Sequence, residues 1–271
     1  MKMKIHQILI NDTNKLPERF PDFHNMCLSQ IKKLYPDSEY HLYCGAELEN
    51  IIKDNFDSDV FISYKKLKPY AYKADLARLC LLYLYGGLYI DLNLYFIDTI
   101  PNLDKLQFFA FRDLSRASKQ SWSVQNGIMY SLPQSKILKT AIDLIVEHCK
   151  NEYYGVQYLD VSGTTVLGIA ITKSLPHFGI STKGELDFFK IDCFDEETRL
   201  KVVDMGYKSE NMLGFILDHG DKLIAIRKPS RGGDVKNMGF EKTNNYVEMW
   251  KNRDIYDTSV KFLKSKNISY Q

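Results

Sequence analysis

The sequence has no strong charge of either sign. Its 36 Lys and Arg stand against 34 Asp and Glu, a formal net charge of +2. That balance leaves no electrostatic footprint for nucleic acid. The mildly basic tail at Lys261, Lys264 and Lys266 reads as a solvated surface or as weak attraction to an anionic membrane. Cysteine is sparse: Cys27, Cys44, Cys80, Cys149 and Cys193 are odd in number, widely spaced, and include no CxxC pair. That argues against a disulfide framework and fits a reducing compartment. The six histidines form no HxxxH or similar cluster, so a structural zinc site has no support. Long apolar runs are missing at the start, where His6 and Gln7 interrupt a short one. The N-terminal segment is therefore too short and polar for a signal peptide or anchor. The expected location is the cytoplasm, free or peripheral at a membrane. No repeat or low-complexity stretch is visible.

What is present suits a folded enzyme-sized domain. Apolar residues make up 45% of the 271, enough for a substantial core and against disorder. The 18 tyrosines suit pockets that stack on ring-shaped ligands, but tyrosine also fills cores. Lys4 to Ile10 reads as a buried opening strand. Asp22 to Leu34 carries Phe23, Met26, Ile31 and Leu34 at helical spacing, and Pro36 stops it. Glu39 to Cys44 reads as a strand and Glu47 to Phe56 as a helix. This alternation predicts an α/β fold with a mainly parallel central sheet.

Tyr72 to Tyr85 is apolar nearly all round, as a central helix would be, and Gly86 and Gly87 end it. Leu88 to Phe96 alternates as a strand, with Tyr89, Asp91, Asn93 and Tyr95 on one face. Phe108 to Phe111 and Asn126 to Ser131 read as strands, and Pro133 to Cys149 and Gly163 to Leu175 as helices. Phe215 to Leu217 and Leu223 to Ile226 flank a hairpin turn at Asp218-His219-Gly220-Asp221. No linker is visible, so residues 1–271 read as one domain with an irregular C-terminal part.

The chemistry concentrates around the apolar helix. Asp75 and Arg78 are three apart at its start, so they share a face. A charged pair there is costly unless it is paired or serves a ligand, and a structural ion pair is the plain alternative. Asp91 and Asn93, two apart on a strand, would project together. A carboxylate and an amide oxygen suit a hard divalent cation, which can bridge to a diphosphate. No pair of carboxylates reads clearly as nucleophile and acid. Asp113 and Asp160 qualify by type only and read better as loop or capping residues.

Ala74-Asp75-Leu76-Ala77-Arg78, the helix, and Gly86-Gly87-Leu88-Tyr89-Ile90-Asp91-Leu92-Asn93 resemble the signature of the sugar-binding-region glycosyltransferases with a DXD motif. That family includes yeast initiating α-1,6-mannosyltransferases, bacterial capsule and lipopolysaccharide transferases and, more distantly, glucosylating clostridial toxins. Ile5-His6-Gln7-Ile8 resembles its opening strand, and Tyr246 to Trp250, with Arg253 and Tyr256, resembles the C-terminal end of bacterial members. The match is good over residues 4–10 and 70–97 and loose elsewhere.

The resemblance implies a GT-A-like, Rossmann-type nucleotide-binding domain. The donor-binding part would span about 1–131 and the acceptor and closing part about 132–271. The implied activity is retaining transfer of a hexose or N-acetylhexosamine. The donor would be a UDP- or GDP-sugar, the acceptor a glycan or lipid-linked saccharide, and Mn²⁺ or Mg²⁺ would assist. Asp75 and Arg78 would contact the donor sugar or its phosphates. Tyr89 and Asp91 would lie at the nucleotide, with Asp91 also serving the metal. Gln7 and Leu9 would sit near the base, and Asn126 near the donor sugar. Three positions depart from the pattern: Asn93 replaces the motif's last Asp, Leu9 a Trp, and Asn245 a C-terminal His. The metal set would then be Asp91, Asn93 and Asn245. A nucleotide-sugar-binding protein with a degenerate metal site and a nucleotide-sugar hydrolase are the rival readings.

Overall fold

The computed structural model describes residues 2–113, 122–174, 193–195, 200–204, 207–209, 212–217, 222–227 and 244–262. The chain opens with β1 (Lys4–Leu9), α1 (Asp22–Leu34), β2 (Glu39–Cys44), α2 (Gly45–Asn55), α3 (Ser58–Lys66) and α4 (Tyr70–Tyr85). Next come β3 (Gly87–Ile90), β4 (Leu94–Phe96), β5 (Phe108–Arg112), β6 (Val124–Ser131), α5 (Lys136–Lys150) and α6 (Thr164–Ser174). Short strands follow: β7 (Cys193–Asp195), β8 (Leu200–Asp204), β9 (Tyr207–Ser209), β10 (Met212–Leu217) and β11 (Lys222–Arg227). The last element is α7 (Tyr246–Lys251).

Seven strands form the main sheet in the order β2-β1-β3-β6-β5-β8-β7. The α/β class holds, but the sheet is mixed. Strands β1, β2 and β3 run parallel, whereas β6 runs antiparallel to both β3 and β5. The side-chain alternation of a buried strand carries no information on direction, so β6 looks like any other core strand in the sequence. A second sheet, β4-β11-β10-β9, is antiparallel. The hairpin strands β10 and β11 pair with Leu217 opposite Lys222, and the turn between them lies outside the described residues.

Helix α4 packs against the centre of this sheet. Leu76, Ala77, Leu79, Cys80, Leu81 and Leu82 are all buried, which is why its sequence is apolar nearly all round. On its outer side α5 packs an amphipathic face of Ile137, Leu138, Ile142 and Ile145. Gly86 ends α4 with φ +63°. At Gly87, with φ +98°, a Cβ would lie 2.2 Å from the Lys4 carbonyl, so the pair closes the helix and starts β3 against β1 in two residues. His6 on β1 secures the same corner. Its Nε2–H donates to the Gly86 carbonyl at 2.8 Å, and Nδ1 accepts from the Tyr43 hydroxyl at 3.2 Å.

The expected strand from Leu88 to Phe96 does not run through. It breaks after Ile90, and the Leu94 N–H closes a turn on the Asp91 carbonyl at 3.2 Å. Leu92 packs in the turn against Leu9, while Leu94 and Phe96 enter a different core cluster from β4. Apolar residues on both sides of the break mimic alternation. Asp91 and Asn93 therefore sit in a turn between two sheets and not on one strand face.

Cys27, Cys44, Cys80 and Cys149 are free thiols. Among the described residues no helix is long and apolar enough to cross a membrane.

Candidate active site

The parallel strands bring several chain ends to one edge of the main sheet. β3 ends at Ile90, just before Asp91, and β5 ends at Arg112, just before Asp113. The antiparallel β6 starts at the same edge with Val124, Gln125 and Asn126. Ligands of open α/β sheets bind at this carboxyl edge, where loops leave the strands and helix ends approach. Here it opens into a cavity of about 300 Å³. Asp75 and Arg78 reach it from α4, Tyr158 and Gly163 from the segment before α6, Arg227 from β11 and Tyr246 from α7.

Arg78 organises the floor. Its Nη1 donates to Asp91 Oδ1 at 3.1 Å and to the Asn126 carbonyl at 2.8 Å. Its Nη2 lies 3.2 Å from Asp75 Oδ1, and Nε donates to the Ala74 carbonyl at 3.1 Å. The guanidinium carbon stands 4.6 Å from the centre of the Tyr89 ring. Burial opposes the guanidinium charge, and the neighbouring Tyr89, Asp91 and Asp75 more than offset it, so its pKa is raised. Arg78 thus has a protein acceptor on nearly every N–H. Its first task is to hold two carboxylates and a backbone carbonyl in register.

Asp75 is fixed from three sides. Oδ1 accepts from Asn126 Nδ2 at 2.9 Å as well as facing Arg78, and Oδ2 accepts from the Ser162 hydroxyl at 2.9 Å. Burial pushes this carboxyl up to about 6, against the pull of Arg78 and of the Ser162 and Asn126 hydrogen bonds. Asp91 differs. Its Oδ1 accepts from Arg78 and from the Tyr89 hydroxyl at 2.9 Å, while Oδ2 makes no hydrogen bond among the described residues. Its side chain keeps 24% exposure, against 12% for Asp75 and 7% for Arg78. Burial raises the Tyr89 phenol well above its usual value, so it stays a donor to Asp91.

The structure therefore brings together Asp75, Arg78, Tyr89, Asp91 and Asn126 in one hydrogen-bonded cluster. It does not bring the other expected residues there. Gln7 is fully buried on β1 and accepts from the Tyr40 hydroxyl at 2.8 Å, and Leu9 packs with Leu92 beside the turn. Neither lines the cavity, and neither does Asn93. Asn245 is an N-cap: its Oδ1 accepts from the Val247 and Glu248 N–H groups at 3.1 and 3.3 Å. That amide oxygen is committed to starting the helix, and Asn245 does not line the cavity with Asp91. Asp160 is a buried residue of the loop before α6. It accepts from the Val156 and Gln157 N–H groups and from Thr165. Asp113, read as a loop residue, is buried in the cavity wall.

Sequence reasoning missed Ser162, Tyr158, Tyr246 and Arg227. Ser162 is separated from Asp75 by 87 positions, and no local pattern links them. Tyr246 had a signal, the aromatic spacing of Tyr246 and Trp250. Its ring meets Tyr158 at 5.5 Å and Tyr72 at 5.8 Å between centroids. Asn244, two positions before it, accepts from the Tyr70 N–H at 3.0 Å and donates to the Lys68 carbonyl, pinning α7 to the start of α4.

The fold and site define an α/β protein with a buried carboxylate–guanidinium cluster at the carboxyl edge of its sheet. Residues 18–176, more than half of the chain, match the capsular polysaccharide synthesis protein family, and the chain belongs to that family. An uncharacterized glycosyltransferase of Acanthamoeba polyphaga mimivirus is 30% identical over 105 residues, 39% of this chain and 40% of that protein. Inositol phosphoceramide mannosyltransferase 2 of Schizosaccharomyces pombe is 28% identical over 154 residues, 56% of this chain and 41% of that protein. The chain thus spans about two fifths of the length of these curated relatives. Among solved structures, the PaToxG glycosyltransferase aligns with a TM-score of 0.48 at 17% identity, covering 65% of this chain and 70% of that one. The galactosyltransferase LgtC, solved with donor and acceptor sugar analogues, aligns with a TM-score of 0.34 at 12% identity, covering 62% and 70%.

Proposed function

We propose that this chain is a glycosyltransferase that moves a hexose from a nucleoside-diphosphate sugar to a saccharide or lipid-linked acceptor, in a GT-A-like arrangement. The observation that carries the reading is the Asp75–Arg78–Asp91–Asn126 cluster. It fixes two carboxylates in one cavity, one held on both oxygens and one with an oxygen left over. Family membership and the glycosyltransferase relatives support it.

In this reading Asp75 and Asn126 meet the donor sugar. A carboxylate held by Arg78 and Ser162 accepts from sugar hydroxyls without having to reorganise. Asp91 Oδ2 points to the donor's diphosphate side. A divalent cation, Mn²⁺ or Mg²⁺, fits there in a limited sense. Asp91 offers a free carboxylate oxygen, Asn93 stands two residues on but does not line the cavity, and among the described residues no three His, Cys, Asp or Glu converge on one point. The donor set suits a hard ion shared between the protein and the diphosphate, and not a closed protein cage. Such an ion would neutralise charge on the departing diphosphate.

Departure of the diphosphate leaves positive charge on the anomeric carbon, next to two fixed carboxylates. Tyr158 and Tyr246 form the wall where an acceptor ring would pack. We propose transfer with retention, the acceptor attacking on the face from which diphosphate leaves, because the two carboxylates of the cluster, Asp75 and Asp91, are both held by Arg78. The test is to incubate the protein with UDP- and GDP-hexoses and Mn²⁺, with and without saccharide acceptors. Acceptor-dependent diphosphate release with an α-linked product from an α-linked donor is expected. Release that ignores the acceptor would make it a hydrolase, and binding without release would make it a sugar-nucleotide-binding protein.

A further inference from the structure

The cavity contains two guanidinium groups in opposite states. Arg78 is spent on Ala74, Asp75, Asp91 and Asn126. Arg227 lines the same cavity and makes no ion pair among the described residues. Its position is set by the second sheet. Arg227 pairs with Leu94 across the β4–β11 ladder, and Leu94 closes the turn on Asp91. The side chain therefore leaves the strand that neighbours the Asp91–Leu94 turn. Tyr246 lines the same cavity as Asp75, Asp91 and Arg227.

A half-buried arginine is expensive to keep in a cavity unless something pairs with it. Two carboxylates of the same cavity, Asp75 and Asp91, are held by Arg78. A planar fork open to a cavity matches a phosphate, which it can bind with two parallel hydrogen bonds. Resting on the glycosyltransferase reading, we propose that Arg227 binds a phosphate of the donor's nucleoside diphosphate, supplying a fixed positive charge to the leaving group. The two arginines then divide the work. Arg78 shapes the site from within, and Arg227 meets the substrate. A fixed cation would also explain how the site tolerates Asn93, since the leaving charge is no longer met by a metal alone.

The experiment is calorimetric titration of UDP, GDP, their nucleosides and glycerol phosphate into the wild type, Arg227→Gln and Arg227→Lys. Each is run with Mn²⁺ and again in EDTA, with melting temperatures measured alongside. Arg227→Gln should weaken binding of the preferred nucleoside diphosphate about tenfold or more under both conditions, the size expected for losing a charge-assisted bidentate contact. Nucleoside binding and melting temperature should not move, and Arg227→Lys should fall between. If Arg227→Gln does not fold, Arg227→Lys decides, with a several-fold loss expected. Wild-type protein that binds neither nucleotide overturns the glycosyltransferase reading, and the proposal falls with it. Wild-type protein that binds a nucleotide, with variants that bind it equally or lose only glycerol phosphate, overturns the proposal alone.

Discussion

Asp91 and Gly127 face each other across the β3–β6 ladder without room between them. The Asp91 N–H donates to the Gly127 carbonyl at 2.8 Å, and a Cβ on Gly127 would stand 2.6 Å from Asp91 Oδ2. That oxygen is the one the cluster leaves available. Gly127→Ala should therefore displace the Asp91 carboxylate while sparing the core. We expect at least a tenfold loss of metal-assisted nucleoside diphosphate binding with a melting temperature within a few degrees of wild type. Unchanged binding in a calorimetric titration would mean that Oδ2 has no part in donor recognition.

Asp75 is held by Arg78, Asn126 and Ser162, so an isosteric change alters charge and one donor–acceptor match at once. Asp75→Asn should cut turnover by about 10²-fold or more, the scale of a lost positioning or electrostatic contact. Ser162→Ala removes only the hydroxyl on Oδ2 and should have a smaller effect in the same direction. Arg78→Lys replaces a fork that spans two carboxylates with a point charge, and it should lower both turnover and stability. Initial rates of sugar transfer and melting curves check all three. An Asp75→Asn protein that melts many degrees lower yet transfers normally per folded molecule would make the cluster purely structural.

The sequence makes the central motif legible because its residues are close together: α4, the Gly86–Gly87 stop and Asp91 all lie within about twenty positions. Long-range partners leave no such trace. Ser162, Arg227 and Tyr246 meet the motif only through the fold. The turn at Leu92 and Asn93 was hidden because Leu92 and Leu94 are both buried, in different clusters, and so keep a strand's alternation. Helix α3 was not expected either, though its N-cap is local: Asp57 accepts from the Asp59 and Val60 N–H groups.

Asn93 carries an amide where the resembled motif carries a carboxylate. Asn93→Asp adds a negative charge beside the Asp91 turn, and it should keep or tighten Mn²⁺ binding in the presence of nucleoside diphosphate. Turnover need not rise with it, because tighter product binding slows release. Metal titrations at fixed nucleotide concentration give the answer. A large loss of Mn²⁺ affinity would show that the Asn93 amide serves the site in another way.

His6 sets an acid limit on stability. Burial lowers its pKa from 6.5 to about 4, with the Gly86 hydrogen bond pulling the other way. The unfolded chain therefore binds a proton that the folded chain refuses as pH falls below 6.5. The contribution is fully present above that value and is lost between 6.5 and 4. Between pH 7 and pH 5 the loss is about 2 kcal/mol by linkage. Asp75, raised to about 6, acts in the opposite sense over part of the same range, so the wild-type curve alone does not isolate His6. The comparison with His6→Gln does. That variant should be less stable than wild type at pH 7, and the gap should narrow by about that amount at pH 5. Urea unfolding of both proteins at the two pH values measures it, and a gap that stays constant would show that His6 is not held neutral against the Gly86 carbonyl.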